Sequence, residues 1–414
     1  MYGLHHAEHH FQSFDDVQSL PRILKKTGGD YWYGIIGKKH FGPDTVYPFP
    51  FSYTELDGYS LNLVGRNITY MNTLVQKFFT EAKQKDKPFF LYVAFFDVHR
   101  GCGATFCEHY GDGTGKNNVI PDWTPIDYKP EDVEVPPYLP DTPATRMDIA
   151  AQYRAVSRMD QGVGLFLKSL QDYGYGNNTL VILTADNGIP FPNAKTNLYE
   201  SGMGEPMILS NPMAPERWGQ QTEALASTTD IVPTILDWFN IKYPEYKLFG
   251  PTVTLQGKSL LPVLNAEPTT GYDTAFSSHT FHECTMYYPM RVVRDKSHRL
   301  IHNLNFKMPY PIASDLFGSP TFQDILKHAS QNVSTKWFKT LDQYYNRSEF
   351  ELFDLDKDPL ETKNVIDDPA YQDVAKELKD KLWQWQINTD DPWLCMPGGE
   401  KVGKDTCSSF QNGL

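Results

Sequence analysis

No run of apolar residues in this chain approaches the about 18 needed to cross a bilayer, so no membrane span is read from it. The opening Met-Tyr-Gly-Leu-His-His has no basic segment followed by an apolar one, and so no secretory leader. Basic charge is in deficit. Lys+Arg total 38 against 51 Asp+Glu, a net charge of −13, which excludes a broad basic surface for nucleic acid or a long polyanion. An anionic ligand must be caught locally. Cysteine is scarce at five residues. Cys102, Cys107, Cys284, Cys395 and Cys407 lack the paired short spacings of a zinc site. Four of them form two sequence-close pairs, Cys102 with Cys107 and Cys395 with Cys407, which read as short-loop disulfides. There is no internal repeat, low-complexity tract or long linker.

The chain does contain four N-x-Ser/Thr sequons, starting at Asn67, Asn177, Asn332 and Asn346. With the cysteine pairs they favour the secretory route. That conflicts with the missing leader unless the sequence continues upstream. Strand-like runs at Tyr33 to Gly37, Pro88 to Phe96 and Thr179 to Ala185 alternate with helical stretches, which predicts an α/β sheet. From about Ala144 to Leu170, Ile149, Tyr153, Val156, Met159, Val163, Phe166, Leu167 and Leu170 recur at helical spacing and are expected in the core. A further helix follows Asp230, with Pro233 near its first turn. Beyond the Gly257 to Leu264 segment the texture turns to short β-rich pieces, Met290 to Val293 and Arg299 to Asn303. These end in a helix from about Ala370 to Ile387. A length of 414 residues with this change of texture suggests two unequal domains, 1–270 and 271–414.

Three strand-like runs finish in polar clusters: Gly37-Lys38-Lys39-His40, Asp97-Val98-His99 and Asp186-Asn187-Gly188. Open α/β sheets bind ligands at the carboxyl ends of their strands, so the three endings are expected to converge on one site. Taken alone, Asp-Asn-Gly is more often a plain turn. Asp186 and Asn187 offer a carboxylate and an amide carbonyl, hard oxygen donors suited to Ca²⁺ or Mg²⁺ rather than zinc. Lys38, His40, His99 and Lys195 carry the chemistry that neutralises a tetrahedral oxyanion and protonates a leaving group. Singly, each is more simply a surface charge or a satisfied histidine. His5, His6, His9 and His10 would share a helix face, yet nothing in the sequence fixes a helix there, and a metal reading of them is set aside.

At these residues the sequence resembles the sulfatases of the alkaline-phosphatase-like superfamily. The landmarks stand in order: Ala151-Gln-Tyr with Met159-Asp160 and Val163-Gly164, Leu183-Thr-Ala-Asp-Asn-Gly188, Asp230 with Pro233-Thr234, and Glu351-Leu-Phe-Asp-Leu with Asp358-Pro359, Glu361 and Asn364. Five further segments resemble the sulfamidase (heparan N-sulfatase) branch: Gly34 to Pro43, Val64 to Thr69, Ile120 to Pro125, Ile301 to Pro309 and Ser319 to Asp324. The resemblance implies a mixed central sheet flanked by helices and a smaller C-terminal α+β domain with an antiparallel sheet. It implies a lysosomal homodimer that binds Ca²⁺ and hydrolyses the N-sulfate of terminal N-sulfoglucosamine in heparan sulfate, using a formylglycine made from cysteine.

Carried over, Asp186 and Asn187 match calcium ligands, Lys38 and His40 match groups around sulfate and formylglycine, and His99 matches the histidine beside the leaving group. Lys195 stands where an arginine is common, keeping the charge but losing the bidentate fork. Phe96 replaces a frequent histidine. The family's Cys-x-Pro-x-Arg nucleophile motif and its earlier Asp-Asp pair do not occur in the expected place, and Cys395-Met-Pro-Gly-Gly lacks the arginine. Met1-Tyr-Gly-Leu-His resembles a segment that follows the nucleophile motif. The expectation is a chain incomplete at its N-terminus and inactive as written. Two readings compete: a short isoform that binds sulfated glycan or a partner without catalysis, and a sulfatase of O-sulfate esters.

Overall fold

The structure is a computed structural model that describes residues 13–101, 123–124, 126–248, 250, 252–282 and 286–410. The histidines at 5, 6, 9 and 10 and the cysteines at 102, 107 and 284 lie outside the described residues.

Strand β1, Trp32–Gly37, is apolar and β-branched enough to be buried on both faces, as a central parallel strand requires. It pairs in parallel with β2, Phe51–Thr54, on one side and with β3, Phe89–Ala94, on the other. Both are crossover connections, so all three strands end on the same side of the sheet.

The Ile68–Lys85 helix makes the crossover into β3. Asn67 caps it, its side chain accepting from the Tyr70 N–H at 3.0 Å. Met71, Leu74, Val75, Phe78, Phe79 and Ala82 form its buried stripe. Burial of Phe78 alone contributes roughly 1.5–3 kcal/mol.

The long predicted helix is present as Pro143–Asp172, capped by Thr142 with Pro143 in its first turn. Its inward face differs from the expectation. Ile149 and Leu170 are buried, but Val156 is 38% and Leu167 42% exposed, while Asp148, Gln152, Ala155, Arg158 and Gly162 point inward. The reason is electrostatic: Asp148 and Arg158 face the buried partners Arg100 and Asp97, so charged residues take positions that hydropathy assigns to the core.

Strands β4, Val181–Thr184, and β5, Met207–Ser210, form a separate antiparallel pair. Leu91 and Val93 of β3 and Val181 of β4 pack on the same apolar layer, built around Phe78, Phe79 and Leu170. The predicted helix after Asp230 spans Ile231–Trp238.

The C-terminal part holds a four-stranded antiparallel sheet of β6 (Thr274–Phe281), β7 (Tyr287–Asp295), β8 (His298–Asn303) and β9 (Phe350–Asp354), paired in that order. The Gln372–Asn388 helix covers it, with Ala375, Leu378 and Leu382 against Val293, Leu300 and Leu352. A closing hairpin of β10, Gly399–Lys401, and β11, Cys407–Ser409, is tied by the Cys395–Cys407 disulfide.

Candidate active site

The site starts from a close backbone contact. Gly37 ends β1 at φ +101°, and a Cβ there would sit 1.9 Å from the Ala94 carbonyl oxygen, so only glycine fits. That approach lets the Lys38 N–H donate to the Ala94 carbonyl at 2.9 Å and sets Lys38 beside the end of β3. Past β3 the chain turns at once, with the Phe96 N–H donating to the Gly65 carbonyl and the His99 N–H to the Phe96 carbonyl.

Buried ion pairs fix this turn. Asp97 accepts from Arg158 at 2.6 and 2.8 Å and lies 3.0 Å from Arg66 Nε. Arg66 also donates to the His99 carbonyl at 2.8 Å. Arg100 forks onto Asp148 at 2.7 and 2.9 Å and donates to the Pro190 carbonyl. Phe96, the departure from the family's frequent histidine, stacks on the His99 ring at 5.0 Å, with the Arg66 guanidinium 4.4 Å from its centre.

His99 Nδ1 lies 2.9 Å from the Arg100 carbonyl, an acceptor, so that nitrogen carries the proton. Nε2 is left as a lone pair facing Lys195 Nζ at 3.3 Å. Burial lowers the His99 pKa to about 3, and the charges of Lys195 and Lys38 add to the effect. Lys195 Nζ in turn donates to Asp315 Oδ2 at 2.6 Å, and the same oxygen lies 3.6 Å from His99 Nε2. Burial pushes the Asp315 carboxyl up, but the charge and hydrogen bond of Lys195 outweigh it and hold the group below its ordinary value.

Lys38 is half-buried, and burial lowers its pKa against the pull of Asp186. It also feels Lys195, Glu55 and Asp315, which puts the ends of β1, β3 and β4 in one electrostatic neighbourhood. Asp186 is exposed and Asn187 half-buried just past β4. Their turn closes at Gly188, where a Cβ would meet the Ser201 carbonyl oxygen at 2.4 Å.

His40 meets Glu55, whose charge also acts on Lys38. The backbone N–H groups of Lys39 and His40 both donate to the Glu55 carboxylate at 2.9 Å, and the His40 ring lies 3.7 Å from it. Among the described residues no group of three or more His, Cys, Asp or Glu could hold a metal ion. A cavity of about 470 Å³ lined by Phe350, Trp383, Cys395 and Cys407 shares no residue with the cluster.

Asp315, Glu55, Arg66 and Arg158 are residues that the sequence did not assign to the site, and Asp97, read there as part of a polar strand ending, had no partner assigned. Asp315 lies in a short helix, Ser314–Phe317, between two of the sulfamidase-like segments, and no chemical pattern marks it. Of the sequons, Asn67 caps its helix, while Asn177, Asn332 and Asn346 are exposed.

Comparison with known proteins adds an independent line. A sulfatase family profile matches residues 1–241, and an N-sulphoglucosamine sulphohydrolase C-terminal profile matches residues 314–388. The chain is 53% identical to the human N-sulphoglucosamine sulphohydrolase over 100% of its own length and 83% of that protein. It is 29% identical to an ulvan-active sulfatase of Formosa agariphila, over 78% of this chain and 55% of that protein. A structure solved with its substrate D-glucosamine-2-N,6-O-disulfate superposes with a TM-score of 0.60 at 18% identity, covering 92% of this chain and 84% of that one. A phosphonate monoester hydrolase of Agrobacterium radiobacter gives 0.60 at 15% identity, covering 97% and 85%. At these identities the likeness concerns the fold, which is that of the alkaline-phosphatase-like sulfatases. With one profile over more than half its length and a relative more than 50% identical throughout, the chain belongs to the sulfatase family, in its N-sulphoglucosamine sulphohydrolase branch.

Proposed function

We propose that this protein hydrolyses the N-sulfate of terminal N-sulfoglucosamine during breakdown of heparan sulfate, releasing sulfate. The observation that carries the reading is the cluster of Lys38, His99 and Lys195 at converging strand ends, in a chain so similar to the human sulphohydrolase. Lys38 and Lys195 supply positive charge to the oxygens of a bound sulfo group. His99 presents Nε2 to the same space. Entry of an anion makes the imidazolium less costly there, so Nε2, a lone pair in the free protein, takes up a proton from the acidic medium, and the leaving nitrogen accepts that proton as the S–N electron pair passes to it.

Asp186 and Asn187 fit a hard divalent cation in the type of their donors, and they are the residues that would hold Ca²⁺. Such an ion would neutralise sulfo oxygens, and the family's formylglycine would supply the nucleophilic oxygen. The Cys-x-Pro-x-Arg motif that gives rise to that group is not among these 414 residues, so in this reading the nucleophile comes from outside them. The same reading includes a homodimer delivered to the lysosome. The Cys395–Cys407 disulfide and the exposed sequon asparagines support the secretory route.

The test is sulfate release at acidic pH by the product of the complete open reading frame that contains this chain. Release from N-sulfoglucosamine and not from glucosamine 6-sulfate is expected. Release from O-sulfate esters alone overturns the reading.

A further inference from the structure

We propose that Asp315 is a specificity-determining residue: its carboxylate accepts from the nitrogen at C2 of the terminal sugar, favouring an N-sulfo group over an oxygen-linked sulfate. This rests on the function proposed above. Three observations carry it.

The Asp315 side chain is 5% exposed, so its carboxylate is kept from bulk water. One oxygen, Oδ2, serves Lys195 at 2.6 Å and lies 3.6 Å from His99 Nε2. The other, Oδ1, is buried and has no hydrogen-bond partner among the described residues. A buried carboxylate oxygen without a donor is costly unless something supplies one.

The position is also held by the fold. Ala313 and Leu316, on either side, are buried together with Met286. The next helix, Pro320–Ser330, is tied to the long helix by Thr321 Oγ1 donating to Asp148 Oδ2 at 2.7 Å. That same Asp148 holds Arg100, the neighbour of His99. Asp315 is therefore set against His99 by the same network that sets His99.

The chemistry then follows from donor and acceptor roles. An ionised carboxylate only accepts. The nitrogen of an N-sulfo group carries a hydrogen, and the ammonium of the released glucosamine carries three. The bridging oxygen of an O-sulfate carries none and would meet the carboxylate lone pair to lone pair. Lys195 and Asp315, paired, match the two halves of an N-sulfo group: cation to the sulfo oxygens, anion to the N–H.

The experiment is calorimetric titration of the 414-residue chain at about pH 5, where released glucosamine is cationic, with N-sulfoglucosamine, its oxygen isostere glucose 2-sulfate, glucosamine and glucose. The wild type is expected to bind the nitrogen member of each pair about tenfold more tightly, the scale of one charge-assisted hydrogen bond. Asp315→Asn removes that preference and leaves glucose 2-sulfate binding unchanged or tighter. Lys195→Met weakens both sulfated sugars and keeps the preference for nitrogen. Melting curves check the fold. If Asp315→Asn does not melt cooperatively, the double variant with Lys195→Met, which leaves no unpaired buried charge, replaces it.

If Lys195→Met also removes the preference, Asp315 acts only by holding Lys195 and the proposal falls. If the wild type binds both sulfated sugars equally, the proposal falls and the function stands. If it binds neither, both fall.

Discussion

Asp97 serves two arginines at once, and the position of His99 depends on it. Its carboxylate meets Arg158 and Arg66, and Arg66 reaches the His99 carbonyl. Asp97→Asn leaves two buried guanidinium groups short of a counter-charge, and removing one partner of a buried pair costs roughly 3–5 kcal/mol. Urea unfolding should show that loss, together with weaker N-sulfoglucosamine binding in whatever fraction remains folded. A loss under about 1 kcal/mol would contradict the network, being the range of exposed pairs. At this scale the sequence is unevenly legible. Lys38, His99 and Asp186 are readable because they follow strands, and topology brings strand ends together. Asp315 is not, because it meets Lys195 across a separation of 120 residues from a four-residue helix without a chemical signature. His40 is readable as a residue type, but its contact with Glu55 is one that no spacing rule foretells.

Among the elements, β1 is specified most strictly. Gly37→Ala would press a Cβ into the Ala94 carbonyl at positive φ, and strain of this kind costs on the order of 1–3 kcal/mol or more. A lowered melting temperature with weakened anion binding is expected, since Lys38 follows directly. The long helix shows why hydropathy misleads near a site: positions facing Asp97 and Arg100 are filled by Arg158 and Asp148, which displaces the apolar stripe.

Strand β6 carries a pH liability. Burial holds His279 at about 4, aided by the charges of Arg347 and Arg291, although its Nδ1 donates to the Tyr288 carbonyl. Between its ordinary value and about 4 the unfolded chain binds a proton that the folded chain does not. Stability is therefore full above about pH 6.5 and falls as pH drops, by roughly 2 kcal/mol near pH 5. His279→Asn keeps a donor and cannot charge. The difference in melting temperature between pH 7 and pH 5 should shrink in that variant, and an unchanged difference would show that His279 is not the group responsible.

For the whole molecule, the alternation of strands and helices was enough to read the α/β class, and the change in texture to read short β-rich pieces near the C-terminus, whose antiparallel pairing was implied only by the family resemblance. Only the structure shows that β3 and β4 lie in separate sheets over one apolar layer, because pairing partners are not encoded in local pattern. The terminal hairpin depends on its covalent tie. Cys395→Ser opens a loop of sequence separation 12, for which the chain-entropy scale is about 3 kcal/mol. Reduction or substitution should loosen residues near 395–409 in hydrogen exchange while leaving anion binding at Lys38 and His99 intact.

If the ends of β1, β3 and β4 form one site for an N-sulfo sugar, a crystal of this chain soaked in N-sulfoglucosamine will hold the sugar there. The sulfo group is expected within hydrogen-bonding distance of Lys38 Nζ, His99 Nε2 and Lys195 Nζ. A sugar found instead in the cavity between Phe350, Trp383 and the Cys395–Cys407 disulfide, with nothing at the strand ends, would contradict it.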